Sequence, residues 1–69
     1  MIGVYILQGN DEGARGFLFS VDARTAEVVT RYGILRIDRS FIKPLDIANS
    51  FDEVDNLVDK IIMSPMTGN

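Results

Sequence analysis

Ser50-Phe51-Asp52-Glu53-Val54-Asp55-Asn56-Leu57-Val58-Asp59-Lys60-Ile61-Ile62-Met63 decides the fold, because the start, face and end of an element are all written in these residues. Ser50 and Glu53 form a capping box: the Ser50 hydroxyl accepts from the N–H of Glu53, and the Glu53 carboxylate reaches back to the N–H of Ser50. Phe51, Val54, Leu57, Val58, Ile61 and Ile62 then recur at helical spacing and give the segment one apolar face. Asp52 and Glu53 complement the positive end of the helix dipole, Lys60 the negative end, and Ser64-Pro65 stops the helix. The spacing predicts a helix over 51–63, with residues 65–69 a frayed tail. Such a helix needs a second layer to cover its stripe.

Working back from the helix, 40–48 contains Pro44 and cannot be a central strand, although Phe41, Ile42, Leu45 and Ile47 need cover. Upstream, 27–32 reads as a strand, and Gly33 either turns the chain or bulges one long strand through Ile34, Leu35 and Ile37. Asp22 opens a tight turn closed by Thr25, its carboxylate placed to accept backbone N–H groups two residues on. Phe17 to Val21 alternates as a strand. The segment 9–16, with Gly9, Gly13 and Gly16, is a loop. Ile2 to Leu7 is β-branched and aromatic on both faces, as in a central strand covered on two sides. The expectation is an α+β fold: a small antiparallel meander of three to four strands followed by one C-terminal amphipathic helix packed on the sheet, in a single domain over residues 1–69.

One helix of this length covers only part of such a sheet. The remaining apolar residues of the first strand therefore point to a homodimer or another protein partner. With 69 residues, the chain has room for one marginal core, in which self-association is a natural source of extra stability.

Composition removes several chemistries. The chain has no Cys and no His, which excludes thiolate and imidazole zinc sites, thiol redox, Cys nucleophiles and Ser-His-Asp triads within one chain. The calcium-loop pattern is absent as well, so neither metal nor cofactor is expected. There is no apolar run of membrane-spanning length and no secretory leader pattern, which places the chain in the cytoplasm and away from membranes. The 9–16 loop lacks a Gly-Lys-Ser/Thr ending, and Asp11 and Glu12 repel phosphate, so it reads as a plain connection. Ser40 and Lys43 match a Ser-x-x-Lys spacing, but Pro44 argues against the helix that chemistry needs. The expectation is a chain without enzymatic activity.

Charge is distributed unevenly. The net charge is −3, yet residues 14–43 carry +3, with five arginines and one lysine, whereas residues 44–69 carry −4. Asp52, Asp55 and Asp59 line one flank of the helix with no interleaved lysine, an arrangement that costs a little helix stability. They are the candidate contact surface for a basic partner, with Arg31 and Arg36 as a second surface. Phage and mobile-element accessory proteins of similar make-up suggest, by analogy, a regulator or inhibitor whose acidic face imitates a nucleic-acid backbone. The alternative is a nucleic-acid-binding regulatory domain in which the arginine-bearing sheet takes a single strand, with Tyr5 and Tyr32 available for stacking. The same arginines could instead pair with the acidic helix, within one chain or across two.

Overall fold

The helix occupies the predicted residues. In a computed structural model, which describes residues 1–63, α1 spans Phe51–Met63. The Ser50 hydroxyl accepts from the N–H of Glu53 at 3.2 Å, as expected, but the Glu53 carboxylate bonds the N–H of Asn49 at 2.6 Å in place of that of Ser50. The box is thus closed one residue earlier. The Ser64-Pro65 stop and the frayed tail lie outside the described residues.

Five strands precede α1: β1 (Ile2–Ile6), β2 (Arg15–Val21), β3 (Thr25–Thr30), β4 (Gly33–Asp38) and β5 (Ile42–Ile47), with one 3₁₀ turn over Arg39–Phe41. All pairings are antiparallel, in the order β4-β3-β2-β1-β5. The α+β class holds, and the sheet gains a fifth strand. That strand contains Pro44, which sits at the sheet edge opposite Val4, so its missing N–H breaks no central ladder. Gly33 turns the chain and does not bulge it. Its φ is +130°, it pairs with Thr30, and the Thr30 hydroxyl donates to its carbonyl at 2.8 Å, leaving Arg31 and Tyr32 as the hairpin loop.

Strand register separates the two sheet faces. Gly3, Phe17 and Val29 lie in register across β1, β2 and β3, and Phe17 joins Ala48, Val54 and Val58 in the core beneath the helix. Tyr5, Leu45, Phe51 and Leu57 pack around that cluster. On the opposite face Val4, Ile6, Ala26, Val28 and Ile37 are also buried. What buries them is the sheet itself. Its strong twist brings the end of β4 round to the end of β1, so Gln8, Asn10, Ile37, Asp38 and Phe41 line a common cleft, and the N–H of Leu7 bonds the carbonyl of Phe41 at 2.7 Å. The result is an open five-stranded sheet, curled so that one face is enclosed at the β1 and β4 ends, with the helix laid on the other face.

This closure changes the argument for self-association. Of the β1 side chains expected to need a partner, Val4 and Ile6 are covered within the chain, whereas Ile2 stays exposed. The helix stripe also differs from expectation at its end. Val54 and Val58 are buried and Phe51 and Leu57 half-buried, but Ile61 and Ile62 are exposed, since the last turn runs past the strands that cover the first two.

Candidate functional site

The most organised polar feature joins the helix to the sheet. Arg31, in the β3–β4 hairpin, places Nη1 at 2.7 Å from Oδ2 of Asp55 and Nη2 at 2.9 Å from Oδ1 of Asp52. Arg15, at the start of β2, approaches the other oxygen of Asp55 at 3.5 Å while its Nε and Nη2 donate to the carbonyl of Gly13. Each guanidinium also lies over a ring, Arg15 5.7 Å from the centroid of Tyr5 and Arg31 5.3 Å from that of Phe51. Phe51 rests in turn on Phe17, with ring centroids 5.1 Å apart. The Asp55 hydrogen bond, followed by the nearby Asp55 and Asp52 charges, raises the Arg31 guanidinium above its ordinary value. The basic middle and the acidic end therefore meet within one chain.

The five residues singled out from the sequence fall in three places. Arg31, Asp52 and Asp55 come together in this clasp. Asp59, one turn further along α1, has no ion pair among the described residues. Arg36 stands apart on β4, loosely paired with its cross-strand neighbour Glu27 at 4.0 Å. The largest cleft, about 520 Å³, borders the clasp and is lined by Arg15, Arg31, Tyr32, Leu35 and Asp55 among others. Its arginines are already bonded to its aspartate, so a ligand would have to break that pairing to use them.

The other two sequence motifs resolve as structure. The 9–16 loop runs strand to strand, with the amides of Glu12, Gly13 and Ala14 bonded to nearby carbonyls. Ser40 and Lys43 do not share a helix: the Ser40 hydroxyl donates to Asp38 at 2.7 Å, and Lys43 lies on β5. Asp22 behaves as read, accepting from the N–H of Thr25 at 2.9 Å and of Arg24 at 3.0 Å.

A second feature is apolar. Met1, Ile2, Phe19 and Ile47 are 64%, 44%, 61% and 75% exposed. They share one end of the sheet but not one face: Ile2 and Ile47 are register partners on the Val4 face, whereas the β1–β2 register carried two residues beyond Gly3 and Phe17 sets Met1 and Phe19 on the face that bears the helix, and the carbonyl of Met1 accepts from the N–H of Ala48 at 2.8 Å. Val21, also exposed, lies at the same end, where β2 finishes. Sequence reading noted Ile47 as needing cover but did not gather these residues, because which ends of β1, β2 and β5 coincide depends on β5 pairing with β1. Arg15 was likewise invisible as a partner of Asp55, 40 positions away. The chain matches no family model, no curated protein and no solved structure.

Proposed function

We propose that this chain is a non-enzymatic protein-interaction module, a regulator or inhibitor that works by covering a partner's surface. The observation that carries this reading is the set of exposed apolar side chains at one end of the sheet, Met1, Ile2, Phe19 and Ile47. Supporting it, the charged groups around the largest cleft are bonded to one another and hold the helix in place.

The acidic flank of α1 takes a secondary place. Asp52 and Asp55 are partly neutralised by Arg31 and Arg15, which leaves Asp59 as the member of the trio with its charge free among the described residues. The nucleic-acid reading loses support on the same ground, since Arg31 is held by two carboxylates and Arg36 faces Glu27.

Capture from lysate on immobilised chain tests the choice between surfaces. Phe19→Asp and Ile47→Asp are expected to abolish retention, while Asp52→Asn, Asp55→Asn and Asp59→Asn combined leave it in place. Loss of retention in the triple variant alone would move the contact surface to the helix flank and overturn the apolar-end reading.

A further inference from the structure

We infer that the groove between β5 and the second half of α1 receives an acidic segment of another protein, with an apolar side chain on the groove floor and carboxylates on Lys43 and Lys60. This surface is separate from the apolar sheet end and does not rest on it. The groove has a volume of about 330 Å³, and Pro44 and Leu45 on the strand with Leu57 and Ile61 on the helix supply its apolar lining. Strand register and helical spacing bring these residues together. Lys43 pairs with Tyr5, which packs against the core beneath the helix, so Lys43 and Leu45 lie on the helix-bearing face of the sheet. Leu57, Lys60 and Ile61 recur at spacings of three and four along α1 and so share a side.

Charge selects the occupant. The chain has two lysines, and both border this groove. Neither has an ion pair among the described residues, whereas Arg15, Arg31 and Arg36 each face a carboxylate within 4.0 Å. Asp46 lines the groove as well, which leaves a local excess of one positive charge on a chain of net −3. Lys60 at the helix end and Lys43 on an edge strand each have an ordinary local use. Neither use requires that both border one apolar groove.

The walls narrow the choice further. Every lining residue belongs to β5 or α1, so the groove is enclosed on two sides and open outward. A small ligand is held where most of its surface is buried, whereas a segment carried by a larger molecule covers the open side itself. Pro44 has no N–H to offer an added strand, so side chains hold the segment. Leu57 is half-buried and Ile61 is 38% exposed, which leaves apolar surface for an incoming side chain to cover.

The test titrates the isotopically labelled full chain with capped synthetic heptapeptides and follows amide shifts by NMR. The peptides carry leucine, isoleucine or phenylalanine at the centre, glutamate two positions to either side and serine elsewhere. Matched peptides carry glutamine or lysine in place of glutamate. At low salt, at least one acidic peptide is expected to shift the amides of 43–46 and 57–61, with its glutamine and lysine counterparts bound at least about fivefold more weakly. Lys43→Gln with Lys60→Gln is expected to weaken binding about tenfold, as is high salt, and Asp46→Asn to tighten it about twofold. These three positions are exposed, and the comparison of peptides on the unmodified chain keeps the inference falsifiable whatever the variants do. No shift with any acidic peptide at millimolar concentration, shifts away from β5 and α1, or equal affinity for the glutamine or lysine peptides would overturn it. None of these outcomes bears on the apolar sheet end, which Phe19→Asp and Ile47→Asp decide.

Discussion

Asp55 gathers Arg31 from the hairpin and Arg15 from β2, so a single carboxylate ties α1 to two strands. Arg31→Ala removes both of its ion pairs and the guanidinium over Phe51, and is expected to lower the thermal midpoint by more in low salt than in high. An equal loss at both salts would show that packing on Phe51, not charge, is what matters. Gly16 is a packing residue of a different kind. A Cβ built there would lie 2.0 Å from the carbonyl oxygen of Val29, so Gly16→Ala must push β2 from β3 and is expected to cost at least about 2 kcal/mol in denaturant unfolding. Two turn carboxylates contribute to the response to acid. The N–H of Thr25, then that of Arg24, hold Asp22 below its ordinary 3.8, and the N–H and hydroxyl of Ser40 do the same for Asp38. Folded values below unfolded ones mean that the folded chain binds fewer protons. This stability is complete above about pH 4 and is lost as pH falls through the depressed values. Asp22→Asn with Asp38→Asn should therefore lower the midpoint at neutral pH and flatten its decline in acid, and parallel curves for variant and wild type would contradict the assignment.

Among the elements, those with local signals were legible and those defined by distant pairing were not. The start and apolar stripe of the helix are legible because cap and stripe are consecutive, and the Asp22 turn because its acceptor and donors are neighbours. The edge strand β5 was hidden because Pro44 rules out only a central position, and its partner β1 lies some forty residues upstream. The overhang of α1 was hidden too, since periodicity tells which side of a helix is apolar but not where the sheet beneath it ends. The helix should accordingly respond unevenly to truncation. Val54→Ala and Val58→Ala, at fully buried positions, are expected to cost about 2 kcal/mol each, and Ile62→Ala less than about 0.5 kcal/mol. Comparable losses at all three positions in denaturant unfolding would mean that the last turn is covered after all.

At the scale of the whole molecule, the sequence showed that apolar surface was in excess but put it in the wrong place. An apolar β1 suggested an open sheet face, whereas Val4 and Ile6 are fully buried and the exposed apolar side chains lie where β1 begins and β2 and β5 end, at the β3–β4 hairpin and on the last turn of α1. The charge asymmetry was equally visible and is largely resolved inside one chain by the pairing of Arg31 and Arg15 with the helix aspartates. What is left for association is the exposed apolar side chains at the sheet end, Ile2, Phe19 and Ile47 among them. The absence of cysteine makes that claim open to a direct measurement, because a single introduced thiol can form a disulfide only with another molecule. Carrying a disulfide-linked photo-crosslinker, Phe19→Cys and Ile47→Cys should capture a defined protein partner from lysate, while Asn56→Cys on the exposed side of α1 should capture none. Equal capture at all three positions, or none at Phe19 and Ile47, would contradict the apolar sheet end as the contact surface.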